Sequence, residues 1–269
     1  MKKWLYYFLL IIVQACSVNK TIIQVNNPSQ TFTGSSFYDT VAKLNWQERE
    51  TIAVDAILKG NMPKFLFHFV PVYSSYTDSL GKKYEAIFYV SSDYLSIGTN
   101  TNWARIPLTP MAAQKIADSF HCFLPTIKMV DLIYEQAKVK LAPQPMLNNR
   151  DSSNTMFQHH VIIEEQRKKE KGLIAGIKKD VVLSNKIFNY PKQNKVAIYG
   201  WHQINGKPIQ PEYSGHVNWY VDYSHGIRLI ARSIIINHKK MDYIEVLQHP
   251  VFKHLLSNEN SLTFYKYNY

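Results

Sequence analysis

The order of hydrophobic periods in this 269-residue chain predicts an α+β fold: a single domain with a largely antiparallel sheet and several packed helices. Short runs rich in Phe, Tyr, Val and Ile, such as 64–73 and 84–91, are interspersed with helical stretches that open on side-chain caps. Strands and helices do not alternate in the regular βαβ rhythm of a parallel sheet. Hydrophobic residues make up 46% of the chain, enough at this length for one sizeable core, and no repeat period or low-complexity tract is visible.

The first element is a leader. Lys2 and Lys3 precede the apolar run 4–13, which is half the length of a bilayer-spanning helix of ~20 residues. Val13-Gln14-Ala15-Cys16 follows and resembles a bacterial lipobox. That resemblance implies cleavage before Cys16 and lipidation of its thiol. The expected division is a signal peptide at 1–15, a lipid-anchored tether at 16–44 and one α+β domain at 45–269. The expected location is outside the cytoplasm, held on a membrane and facing the periplasm or cell surface. The tether is rich in Asn, Ser and Thr, with a short strand expected near 21–25.

Within the domain, Asn45 with Glu48 three residues on predicts a capped helix over 46–59, stopped by Gly60 and Pro63. Runs 64–73 and 84–91 form a hairpin across the turn at 79–82, and 103–108 is a further strand. Thr109-Pro110 opens a helix to about Phe120, and Thr126 opens another over 127–138, with Met129, Val130, Ile133, Tyr134 and Ala137 on its core face. Residues 143–154 are a connection broken by Pro143 and Pro145. A helix over 154–171 ends in a solvated charge run, and Lys178-Lys179-Asp180 is a solvated start to a strand over 180–183. Strands are expected over 196–199 and 227–236, then a helix over 241–248 and an aromatic tail around Phe264.

The formal charge is +11; without Lys2 and Lys3, 29 basic residues face 20 acidic ones, about +9. Such a balance favours anionic partners: phospholipid headgroups, envelope polymers or nucleic acid. No nucleic-acid motif is present, and none is expected as a partner of an exported chain. With Cys16 lipidated, Cys122 stands alone and the fold has no internal disulfide.

Candidate chemistry concentrates in 196–232, where Gly200, Gly206, Pro208, Pro211 and Gly215 mark loops carrying His202, His216, Asp222, Ser224, His225 and Arg228. Three arrangements are open. His202, His216, Asp222 and His225 would ligate a divalent metal such as zinc, although their spacing matches no standard motif. Ser224 would be a nucleophile served by a histidine, with Asp222 orienting it. Otherwise the site binds without reacting: Trp201, Tyr213, Trp219, Tyr220 and Tyr223 would form a platform for sugar rings, and Arg228 would hold a carboxylate.

Ser224-His225-Gly226-Ile227-Arg228 resembles the Ser-His-Gly-Cys-Arg signature of L,D-transpeptidases, and Tyr199-Gly200-x-His202 lies about where that family carries a histidine. Ile227 stands at the nucleophile's position, and an aliphatic side chain cannot attack a carbonyl. A weaker resemblance is to NlpC/P60 peptidases, through Cys122 ahead of the helix at 127, Asp180-Val181-Val182 and the strand 196–199; Lys195 takes the place of their histidine. Segments from Arg105 to Arg228, DYSHGIRL among them, also resemble an uncharacterised group of exported bacterial proteins. That last resemblance brings no known activity; the reading as a whole is a cell-envelope hydrolase or transferase acting on peptidoglycan or a related polymer. The alternative is a non-catalytic envelope or glycan-binding lipoprotein.

Overall fold

A computed structural model describes residues 19–191 and 194–269, so the leader and Cys16 lie outside the described residues. The fold is α+β, as the sequence predicts. It begins far earlier than expected. Strand β1 (Lys20–Thr21) pairs antiparallel with β2 (His68–Thr77), Ile23 is buried, and a helix α1 (Gly34–Val41) follows. Thr33 caps α1 and Ser36 closes the box, while Phe37, Tyr38 and Val41 enter the core. Residues 20–44 are therefore part of the domain and not a tether. The polar composition of this segment concealed an amphipathic face of only three large residues.

Helix α2 (Trp46–Leu58) starts where expected, with the Asn45 side chain accepting from the Gln47 and Glu48 amides. Strands β2 and β3 (Lys83–Ser91) form the hairpin, paired from Phe69↔Ser91 to Thr77↔Lys83. Two short strands, β4 (Ser96–Gly98) and β5 (Trp103–Arg105), form a separate antiparallel pair. Thr109 caps α3 (Pro110–Ser119), β6 (Cys122–Phe123) intervenes, and Thr126 caps α4 (Ile127–Gln136). After β7 (Val139–Lys140) comes α5 (Ser153–Arg167). It stops short of Lys171 because Lys168 turns left-handed at φ 49°.

Strand β8 (Ile174–Ala175) pairs in parallel with β7. Strands β9 (Lys179–Val182), β10 (Ala197–His202) and β11 (Pro208–Tyr213) belong to a second sheet, completed by β12 (His225–Gly226) lying parallel to β9. The expected strand over 227–236 divides into β13 (Ile230–Ala231) and β14 (Ser233–Ile236). Arg232 leaves the ladder between them to pair with Asp242. Strand β15 (Lys239–Asp242), α6 (Tyr243–Gln248) and α7 (Lys253–Leu256) complete the chain. The larger sheet runs β1-β2-β3-β13-β6, with β14 and β15 continuing from β3. Helix α4 packs against both β2 and β10, so the two sheets share one hydrophobic core.

Gly34 lies where the α1 backbone meets β5. A Cβ there would fall 2.3 Å from the Trp103 carbonyl carbon, and backbone cannot give way as a flexible side chain can. Gly34→Ala is expected to cost about 1–3 kcal/mol, read as a lower urea midpoint with an unchanged denaturant slope. An unaltered midpoint would mean that α1 is not packed on β5.

Candidate functional site

The side chains expected to form one site are divided by a bulge in β10. Its register against β11 shifts between Ile198 and Gly200, Gly200 takes φ 105°, and Trp201 takes the left-handed φ 56° that side-chain-bearing residues seldom adopt. The irregular turn sends Trp201 inward, where it meets Tyr223 edge-on and lies under the Lys179 ammonium, 5.2 Å from its ring centre. His202 turns toward α4 instead. Its Nε2–H donates to Asp131 Oδ1 at 3.0 Å, and its ring stacks on Tyr134 at 4.5 Å. The Tyr199 hydroxyl donates to the same carboxylate oxygen at 2.8 Å; burial and that carboxylate push the phenol well above its ordinary range. These groups line an open cleft of about 530 Å³ with Glu135 and Lys140.

His216, Asp222, Ser224 and His225 do come together. Parallel pairing with β9 holds the 222–226 turn, through the Lys179 amide donating to the Ser224 carbonyl at 2.7 Å. Asp222 is buried. Its Oδ1 accepts from the Ser224 amide (2.8 Å) and hydroxyl (2.5 Å), and its Oδ2 accepts from the Arg150 guanidinium (2.8 Å) and the Tyr220 hydroxyl (3.2 Å). Burial alone would raise this carboxyl, but His225 and the hydrogen bonds from Ser224 and Arg150 together hold it well below the usual carboxylate range. The rings of His216 and His225 are 6.1 Å apart, with Tyr220 beside both. His225 is buried, its Nε2 has no hydrogen-bond partner, and burial lowers its pKa to about 4.

The Ser224 hydroxyl donates to a carboxylate and is wholly buried, so it faces neither a histidine base nor a cleft. Arg228 is not a carboxylate holder. Its guanidinium is in the interior, donating to the carbonyls of Ser91 (3.0 Å) and Ile174 (2.7 Å) and lying 4.0 Å over the Tyr94 ring. The four expected zinc ligands divide between two places, His202 on Asp131 and the others around Asp222. Among the described residues no group of three or more His, Cys, Asp or Glu is arranged to hold a metal ion. Cys122 is buried in β6 rather than at a helix start. Burial pushes its thiol well up, and the sulfur donates to the Phe120 carbonyl.

Several residues near this turn gave no sign in the sequence. Lys178, Lys179 and Asp180 are buried and not solvated. Lys178 donates to the Tyr223 carbonyl and to His159 Nδ1 (3.2 Å), and burial lowers its pKa to about 7. Asp180 accepts from the Tyr94 hydroxyl at 2.8 Å, and burial raises it to about 6. Their partners lie far along the chain, and no local pattern announces them.

Of the expected aromatic platform, Trp201 and Tyr223 are buried, Tyr220 is half-buried, and Tyr213 and Trp219 are exposed. Trp219 and Tyr220 line a groove of about 460 Å³ with Trp46, Asn45, Arg49 and Asp151. Arg49 is 3% exposed, yet it makes only two long hydrogen bonds, to the Asp151 carbonyl (3.4 Å) and Ser153 Oγ (3.5 Å). Its Nε has no partner at all. Glu50 and Asp151 nonetheless act on this guanidinium, which lies beneath the groove.

A buried neutral histidine destabilises the fold wherever the unfolded chain binds a proton that the folded chain refuses. For His225 that window runs from the unfolded value near 6.5 down to about 4, and stability falls as pH drops through it. The loss amounts to roughly 3 kcal/mol. His225→Gln is expected to escape it, so urea midpoints of wild type and variant should diverge between these pH values. Parallel losses would refute the assignment of a neutral His225.

The chain was compared with protein-family models, with curated proteins and with solved structures, and none of the three comparisons finds a match.

Proposed function

We propose that this chain is a non-catalytic, glycan-binding lipoprotein of the cell envelope. It would hold an acidic sugar polymer, peptidoglycan or a related polysaccharide, in the groove between Trp46 and Trp219. One observation carries the reading: two indole rings and the Tyr220 ring line a groove that also contains the loosely bonded Arg49. Flat apolar rings stack on the C–H faces of sugars. The basic balance of the chain draws such polyanions in. Support also comes from what the expected catalytic groups do. The Ser224 hydroxyl is engaged by Asp222, and Ile227, at the position of the L,D-transpeptidase cysteine, is wholly buried.

The soluble chain beginning at Ser17 is expected to sediment with purified sacculi. Trp219→Ala, a change at an exposed ring, should weaken that binding about tenfold without altering the melting temperature, since stacking of this kind contributes on the order of 1 kcal/mol. Equal sedimentation of the variant, or none by the wild type, would remove the groove from consideration.

A second reading, a hydrolase acting at the His202 cleft, is favoured by the Asp131–His202 hydrogen bond opening onto about 530 Å³ of accessible space. A carboxylate-oriented imidazole is a common general base. On this reading wild-type protein releases fragments from sacculi, detected by mass spectrometry, and His202→Ala releases none. Failure of the wild type to release any fragment would reject it.

A further inference from the structure

Asn19, the first described residue, lines a cavity of about 600 Å³ together with His68, Trp103, Arg167, Glu170 and Lys171. At its floor Asp93 is buried and neutralised by Arg105, which grips it through Nε (2.8 Å) and Nη2 (2.7 Å). Arg167 stands at the side, 5.4 Å over Trp103, its Nη1 paired with Glu164 (3.2 Å) and lying 3.8 Å from Asp93. The end of α5 surrounds the mouth. Lys168, Lys169 and Lys171 are exposed, as are Lys20 and Lys64 near the chain entry. The Lys138 side chain lies beside Gly172 at the same rim. Against these six cations stand two exposed acids on this part of the chain, Glu165 and Glu170.

Chain length supplies the partner. Cys16 is three residues from Asn19, and an extended chain spans at most ~3.6 Å per residue, so the Cys16 backbone cannot lie more than about 11 Å from Asn19. Counted instead from the end of the apolar run at Val13, the limit is about 22 Å. A domain of this size has a radius of gyration of about 18 Å, so either distance keeps this face near the bilayer.

We propose that the Asn19 face docks flat on an anionic phospholipid surface, with Lys171 at the cavity mouth receiving a headgroup phosphate. The six cations face the negative surface, each contributing on the order of 1 kcal/mol within a Debye length. The inference rests on the anchor expected at Cys16 and is independent of the glycan groove, whose key residue Trp219 is not among those lining this cavity.

The chain from Ser17, which keeps every described residue and carries no lipid, is tested by co-sedimentation with two kinds of vesicle. One contains phosphatidylglycerol mixed into phosphatidylcholine, the other phosphatidylcholine alone. Binding is expected to the first only and to be lost in high salt. The triple variant Lys168→Glu, Lys169→Glu, Lys171→Glu should weaken it about 100-fold or more at an unchanged melting temperature. Lys239→Glu with Lys240→Glu, on β15 across the sheet from β1 and separated from β3 by β14, should leave binding intact, as should Trp219→Ala. Any of three results overturns the proposal: no binding to the mixed vesicles, equal binding to both kinds, or a triple variant that binds like the wild type.

Discussion

One buried side chain lies where the chain crosses from the smaller sheet to the larger one. Arg228 follows β12 of the smaller sheet and precedes β13 of the larger one. Its guanidinium bonds the last carbonyl of β3 and the first of β8, and it lies across Tyr94 with Asp180 of β9 at 3.9 Å. A buried guanidinium is tolerable only when its surroundings replace water, and here carbonyls, an aromatic face and a carboxylate do so together. The neighbouring residues accommodate this crossing. A Cβ at Gly226 would strike the Tyr94 ring at 2.5 Å and the Lys178 Cβ at 2.6 Å, so only glycine lets the strand pass. Ser224 and Asp222 tie off the turn ahead of it. Every member of the run 224–228 thus has an interior role, which accounts for a signature-like sequence without an exposed nucleophile.

The same logic governs the other charges of the interior. Glu50, Asp93, Asp180 and Asp222 are buried, as are Arg49, Arg105, Lys178, Lys179 and Arg228. Four acids against five bases nearly cancel, so among the described residues almost the whole positive excess lies on the surface. There it acts on partners at a distance and contributes little to holding the fold together.

What could be read from the sequence was local. Asn45, Thr109 and Thr126 cap helices within three residues of themselves, so α2, α3 and α4 were legible to within a turn. Hairpin β2–β3 was legible because Asp78 and Gly81 fold its turn nearby. Helix α1 was not, because Gly34-Ser35-Ser36 has poor helix propensity and is stabilised by contact with β5, some seventy positions away. The site was legible as a cluster and not as a geometry. His202 and His225 fall in the same loop-rich stretch 196–232, yet the left-handed Trp201 sends one toward α4, whereas the other returns beside β9. Lys178-Lys179-Asp180 has the composition of a solvated edge, and nothing nearby signals that Tyr94, His159 and Tyr223 enclose it.

Cys122 gives the fold a property unrelated to its ligands. It is the free thiol among the described residues, 1% exposed in a two-residue strand that pairs with β13 near the junction between the sheets. An alkylating reagent can reach it only in molecules that have transiently opened there. Its labelling rate under native conditions therefore measures the opening equilibrium of that junction, and the chain carries an intrinsic gauge of its own cooperativity.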